Sequence, residues 1–463
     1  MIKQAGKSRL YFIFFGAFGL VYSLAVGLSP VVPAFLILLA AYFAFRKFNL
    51  KNCTLLNLAF LYLVVFVASC YLLSKNLDEY YLPFSLAPML AALLFANMEI
   101  VLLLGVACAV SVAVISVNPL ETIILFLASG LLAGMLAQGA RRRWTVIRAG
   151  LITGAAQVIA VVLLEQLKAG LAYKYAAFFL NGLISAIIVL GVLPLFEYLF
   201  RSVTNISLLE LADSNHPLLQ RMVLEAPGTY LHSLVVGNIS EAACNAIGAN
   251  SLLARVGGYY HDIGKLSKPE YFSENQGISV SKHDTLSATM SKLVIMNHVK
   301  EGLELAKRYR LSPAIADFIG QHHGNSLVYY FYRRALETLE EDQKIQEEGF
   351  RYPGPKPDTK EAAVVLLADS VEAATRALKD PTPSKIQEVV YKVINNKFID
   401  RQLDECDLTL RDMENISAVF LRILSGIYPG RVSYPEETES ENNSQKPPKE
   451  DSRQSEKDKR VNP

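Results

Sequence analysis

The sequence predicts an all-α protein in two parts: a multi-span transmembrane helical bundle, then an all-helical soluble domain. Three observations carry that prediction. The 463 residues are 52% hydrophobic and 19% charged, but these averages hide a break near residue 200. Before it lie successive apolar runs with few charges; after it the composition is that of a soluble protein. The second half shows amphipathic helical spacing, short loops and no strand run of consequence. Five of the chain's 7 histidines recur through that half, with two aspartates, inside segments that read as helix.

The apolar runs span roughly 10–28, 31–45, 55–73, 82–96, 99–117, 119–138, 146–164 and 176–198. Most approach the ~20 residues a helix needs to cross the hydrocarbon core. The second and fourth are short and contain or abut Pro30, Pro33, Pro83 and Pro88, which leaves a re-entrant path open for either. The expectation is about eight spans within residues 1–200. Lys3, Lys7 and Arg9 precede the first run, and Arg46, Lys47 and Lys51 follow the second. Arg141, Arg142, Arg143 and Arg148 lie between the sixth and seventh, and Arg201 follows the eighth. With the N-terminus inside, all four clusters fall on the cytoplasmic side, and so does the histidine-bearing half. The predicted location is thus a cell membrane, crossed many times.

The first run is long and has no clear small-residue cleavage site before Pro30, so it reads as a span rather than a signal peptide. Ionisable residues within spans are scarce, and no transport signature stands out. Glu197, near the end of the last span, reads as a carboxylate at headgroup level. A net charge of +2 gives no electrostatic reason to expect a nucleic-acid polymer as partner. Cys53, Cys70, Cys108, Cys244 and Cys406 form no C-x-x-C pair and read as free thiols.

Residues 201–228 read as a connecting helix, mainly Ser207 to Leu224, broken at His216-Pro217. Pro227-Gly228 reads as a turn. Residues 229–434 form the soluble domain. One helix carries His232; the next ends in the string Val256-Gly-Gly-Tyr-Tyr-His261-Asp262-Ile-Gly-Lys265, with Gly264 and Pro269 as stops. Helices follow over 285–310 with His298, over 313–323 ending in His322-His323-Gly324, and over 361–378 with Asp369 in an apolar stretch. Further helices reach about Tyr428. Residues 435–463 are polar, charged and poor in aromatics, and are predicted to be disordered.

Imidazoles and carboxylates suit hydrolytic transition metals. Seven such groups exceed one tetrahedral site and match two metals that share a carboxylate, the arrangement that clamps the attacking and leaving oxygens of a phosphoryl displacement. Asp262 is the natural bridge, having an oxygen for each metal. Taken singly, His232 would more often be a hydrogen-bonded core residue, Asp369 could simply pair with Arg376 on the same helical face, and His298 would mean nothing. The ordered series outweighs those separate readings. Lys265 lies four residues after His261 on the same helical face and suggests a partner for a phosphate oxygen. His283-Asp284 reads as supporting or capping rather than ligating.

These residues resemble a known family. The strings Ala226-Pro-Gly-Thr-Tyr-Leu-His232-Ser, His261-Asp262-Ile-Gly-Lys265, Tyr271-Phe-Ser-Glu-Asn-Gln276, Gln321-His-His-Gly324, Phe350-Arg-Tyr-Pro-Gly-Pro-Lys-Pro357 and Leu367-Ala-Asp369-Ser-Val-Glu-Ala373 resemble the seven-transmembrane HD-domain phosphodiesterases, over roughly residues 1–434. The resemblance implies an HD phosphohydrolase domain and hydrolysis of cyclic di-AMP to linear pApA. It implies two divalent transition metals, manganese or iron: one on His232, His261, Asp262 and Asp369, the other on Asp262, His298, His322 and His323. Two departures matter. Leu28-Ser29-Pro30 leaves no room for the extracellular domain that family members usually carry after the first span. The Gly-Tyr-Pro that follows the His-His pair in cyclic di-GMP enzymes is absent, which favours the adenine dinucleotide.

The expected mechanism has the metals polarise the phosphate and acidify a water that attacks in line, expelling the 3′-oxygen. Asp262 sets the metal separation and Lys265 stabilises the developing charge. Tyr259 and Arg351 are the substrate-contact candidates, with Tyr260 and Tyr271 behind them. Cyclic di-GMP, another nucleotide such as ppGpp, and a non-catalytic nucleotide-binding receptor are the alternatives. The lipid bilayer is the other expected partner, and a homodimer is left open.

Overall fold

A computed structural model describes residues 52–165, 172–276, 281–337 and 345–428. The first two apolar runs, Leu28-Ser29-Pro30 between them, and the tail 435–463 lie outside the described residues. Among those described, four helices are long and apolar enough to cross a membrane, with spanning stretches Asn57–Ser74, Pro119–Ala137, Arg143–Leu164 and Ala172–Phe200.

The run expected over 82–96 yields a helix of only 10 residues, Leu86–Phe95. At 1.5 Å per residue it spans about 15 Å, roughly half the hydrocarbon thickness. All of Ala87–Leu94 is buried. The short helix fills the middle of the bundle, packed against Met98–Ala113, Pro119–Ala137 and Ala172–Phe200. A helix apolar on every face suits such a place. The two long helices Arg143–Glu165 and Ala172–Phe200 lie along each other. A Cβ on Gly182 would strike the backbone of Gly150 and Gly154. Small residues are how helices approach closely where lipid removes the hydrophobic drive.

The bundle runs directly into the soluble half. The Glu197 carboxylate accepts from the Thr204 amide at 2.9 Å and the Ser207 hydroxyl at 2.7 Å. It thereby helps cap the Asn205–Leu211 helix, a more specific role than headgroup contact. The connecting helix is two pieces, Asn205–Leu211 and Pro217–Glu225, with His216 as the N-cap of the second. Pro227-Gly228 is not a turn. Pro227 opens the Pro227–Ala246 helix, a position where its missing N–H costs nothing.

The soluble domain is built from Pro227–Ala246, Ser251–Tyr260, Ala288–Arg308, Pro313–Gln321, Tyr329–Glu337, Lys360–Arg376, Pro383–Ile399 and Leu410–Ile427. Among the described residues the sole β pairing is an isolated bridge, Leu327–Arg351. The Lys360–Arg376 helix is the central post: Ala362 through Ala368 are all buried. Pro227–Ala246, Ser251–Tyr260, Pro313–Gln321, Pro383–Ile399 and Leu410–Ile427 all pack against it. Enclosure on all sides explains the apolar stretch that brings Asp369 to the interior.

Candidate metal centre

The seven predicted ligands converge. They fall into two sets sharing Asp262: His232, His261, Asp262 and Asp369, and Asp262, His298, His322 and His323. Within each set the ligand atoms lie within 4.8 Å of one another. In the first, His232 Nε2 is 3.1 Å from Asp369 Oδ1 and 3.6 Å from Asp262 Oδ2. His261 Nε2 is 3.2 Å from Asp262 Oδ2 and 3.8 Å from Asp369 Oδ1. In the second, Asp262 Oδ1 lies 3.4 Å from His298 Nε2 and 3.5 Å from His322 Nε2, which are 3.2 Å apart. His323 Nδ1 lies 3.5 Å from Asp369 Oδ2. Asp262 therefore turns one oxygen to each set.

Local backbone makes this convergence possible. Adjacent side chains on a regular helix diverge by about 100°. The helix before His261-Asp262 ends at Tyr260 and a 3-10 turn follows over Ile263–Ser267. Likewise the helix before His322-His323 ends at Gln321, with Gly324 at φ +53°. Gly264 lies so close to the Ala288–Arg308 helix that a Cβ would strike the His298 carbonyl. That contact holds His298 against Asp262.

Each ring is aimed from behind. His261 Nδ1 donates to the Gly258 carbonyl at 2.7 Å, His298 Nδ1 to Ile295 at 2.5 Å, and His322 Nδ1 to Ile319 at 3.0 Å. A proton fixed on Nδ1 leaves the Nε2 lone pair facing inward, as ligation requires. His232 Nδ1 instead meets the Glu372 carboxylate at 2.5 Å. Glu372 is itself held by the Tyr428 hydroxyl at 2.7 Å and by Arg376 at 3.2 Å. Arg376 thus pairs with Glu372, not with Asp369. The His323 ring packs on Tyr352, centroids 4.3 Å apart.

The electrostatics suit cations. Burial raises Asp262, but His261 and Lys265 more than reverse this and hold it ionised, well below the usual carboxylate range. Burial likewise raises Asp369, and hydrogen bonds from His232 and His261 override it. Burial pushes His298 down to about 4, and it lowers His323 strongly, with help from His322. Both stay neutral and ready to ligate. Burial also pushes His261 down, yet Asp262 and Asp369 more than offset it and raise it to about 10, so in the metal-free protein Nε2 keeps a proton that ligation would displace.

The residues fit a metal pair. Ligand atoms about 2.1 Å from one tetrahedral ion stand ~3.4 Å apart, and the separations above cluster about that distance. His261 Nε2 and Asp262 Oδ1 are buried without a hydrogen-bond partner, while Asp262 Oδ2 meets the Lys265 ammonium at 2.7 Å. Orphaned polar atoms at full burial are costly, and a cation on each side of Asp262 would satisfy them.

A family profile described as "7TM receptor with intracellular HD hydrolase" matches residues 14–204, and one described as "HD domain" matches residues 229–374. The chain belongs to the seven-transmembrane HD hydrolase family. It is a membrane protein whose soluble half carries an HD domain. It is 46% identical over 258 residues to the cyclic-di-AMP phosphodiesterase PgpH of Bacillus subtilis, covering 56% of this chain and 36% of that protein. It is 41% identical over 322 residues to the protein of the same name from Listeria monocytogenes, covering 68% of this chain and 44% of that one. The alignments thus span less than half of either relative. A crystal structure of the L. monocytogenes PgpH HD domain in complex with cyclic-di-AMP aligns at 45% identity, covering 47% of this chain and 100% of that chain, with a TM-score of 0.45.

Other predicted residues fall as follows. Lys265 joins the centre, its Nζ 2.7 Å from Asp262 Oδ2 and 2.7 Å from Glu274 Oε1. Tyr259 is buried, with its hydroxyl between Arg255 and Asn238. Tyr260 is buried and donates to the Leu211 carbonyl at 2.8 Å. Arg351 is tied to Glu347, Asp400 and the Asn325 carbonyl. His283 hydrogen-bonds the Tyr271 carbonyl at 2.9 Å, away from the ligand sets. Sequence reasoning missed Glu372, Glu274 and Tyr352. Glu372 had a usable signal, since it lies one helical turn after Asp369 on the same helix.

Proposed function

We propose that the protein is a membrane-anchored, two-metal phosphodiesterase that hydrolyses cyclic di-AMP to linear pApA, lowering the level of a second messenger. The observation that carries this reading is the bifacial Asp262, one oxygen toward each histidine set. Two curated relatives named as cyclic-di-AMP phosphodiesterases support the choice of substrate.

His232, His261, Asp262 and Asp369 would hold one metal; Asp262, His298, His322 and His323 would hold the other. Manganese and iron fit this imidazole and carboxylate set. Such a pair supplies neutralisation of phosphoryl oxygens and acidification of water. The chain's own residues do the rest. Asp262 sets the spacing of the two halves. Lys265 places an ammonium where charge grows on the phosphoryl group, and Glu274 fixes its position. Phe272, whose ring centroid is 5.0 Å from Lys265 Nζ, covers that ammonium from water. The multi-span bundle of residues 1–200 anchors the HD domain of residues 229–434 on the cytoplasmic side, through the connector 201–228.

The test is direct. Full-length chain in detergent with Mn²⁺ is incubated with cyclic di-AMP and cyclic di-GMP, and the products are separated. Linear pApA formed in preference supports the reading. Preference for the guanine compound overturns the substrate, and binding without turnover of either makes the protein a receptor.

A further inference from the structure

Beyond the metal ligands and Lys265, a second ammonium stands at the rim of the site. Lys397, near the end of the Pro383–Ile399 helix, donates from Nζ to the Ser326 hydroxyl at 2.8 Å. Ser326 is buried and belongs to the turn that follows the histidine pair: its amide hydrogen-bonds the His323 carbonyl at 3.0 Å. Its own carbonyl accepts from the Tyr352 amide at 3.0 Å, and the Tyr352 ring packs on His323. Lys397, Ser326 and Tyr352 thus form one wall continuous with the second ligand set.

This lysine has no structural counter-ion among the described residues. None of their carboxylates lies within 4.0 Å of Nζ. The nearest in sequence, Asp400, is taken by Arg351 at 2.9 Å and by Gln402 at 2.8 Å. An ammonium has three donors, and a neutral hydroxyl uses one. Burial pushes Lys397 below the ordinary lysine range, with the Asp369 and Asp400 carboxylates opposing. An anion arriving at this wall would supply the missing charge.

Resting on the phosphodiesterase reading, we infer that Lys397, steadied by Ser326, binds the second phosphodiester of a cyclic dinucleotide while the first lies at the metal ligands. A cyclic dinucleotide carries two equivalent phosphodiesters in one ring. Lys265 and the ligand sets serve the one that is cut. The other is an anion that must rest beside them, and Lys397 is the cation with donors to spare.

The experiment compares two substrates on the full-length, Mn²⁺-loaded protein. Cyclic di-AMP has two phosphodiesters and bis(p-nitrophenyl) phosphate has one. The inference predicts that Lys397→Met lowers the ratio of kcat/KM for cyclic di-AMP over that for the single diester by about tenfold or more, the loss of one charge-assisted contact. Lys397→Arg restores part of that ratio. Should Lys397→Met fold poorly, as judged by metal content and melting temperature, Lys397→Gln makes the same comparison. An unchanged ratio, or equal loss on both substrates, overturns the inference. A wild-type protein that turns over neither substrate overturns the phosphodiesterase reading and this inference with it.

Discussion

Lys265 Nζ lies 2.7 Å from Asp262 Oδ2, the oxygen that faces His232 and His261. The ammonium therefore stands beside the shared carboxylate without being one of the ligands. Its other contact, Glu274 at 2.7 Å, holds it in place. Lys265→Ala should keep full metal content and lower kcat by ~10²–10³, the usual loss when one preorganised donor to the transition state is removed. Metal analysis and steady-state kinetics on the same preparation check this. Loss of metal in that variant would make Lys265 a structural residue.

Glu372 acts through His232. It touches no partner atom of the centre other than that ring, which it meets at 2.5 Å. Removing its charge frees the His232 ring and weakens its basicity. Glu372→Gln should weaken metal binding at the first ligand set by about 10–100-fold and spare the second. Competition with a graded chelator would show one weak and one unaltered site. Two equally weakened sites would contradict this division.

Much of this architecture was legible in the sequence, for identifiable reasons. His261-Asp262 and His322-His323 stand at helix ends, where Gly264 and Gly324 mark the stops, so local chemistry announced them. His232 and His298 stand inside helices and gained meaning only from the series. The apolar run 82–96 was ambiguous because a buried core helix and a membrane span share one signal, unbroken hydrophobicity. Pro227 was misread because proline serves both turns and helix starts. The partners Glu372, Glu274 and Tyr352 depend on which helices meet, and that is settled by packing across long separations. Arg351 and Tyr259 drew notice as polar groups in distinctive strings, yet their partners lie in Asp400 and Arg255, which no local pattern indicated.

The metal-free protein should be most stable near neutral pH. His298 falls to about 4 on folding, so the unfolded chain gains a proton as pH drops through about 6.5 while the folded chain does not. Stability is lost as pH falls below that point, and His323 acts in the same direction. His261, raised to about 10, works oppositely: its contribution is present below about 6.5 and lost as pH rises toward 10. Melting temperatures in chelator should peak between these limbs. His298→Gln should flatten the acid limb above pH 5, where ordinary carboxylates do not yet interfere. A melting temperature that climbs steadily from pH 7 to pH 9 would refute the His261 assignment.

Gly264 has no room for a side chain against the His298 carbonyl. Gly264→Ala must push the Ala288–Arg308 helix away from Asp262. It should lower the melting temperature and strip metal from the second ligand set before the first. Unaltered metal content and stability would show that this contact does not position His298.

The central claim is that Asp262 joins two metal sites through its two oxygens. Metal analysis of full-length Asp262→Ala beside the wild type tests it most directly. The account predicts two divalent metals per wild-type chain and the loss of both from the variant, with its helical content unchanged. A variant that keeps one metal or both would contradict it.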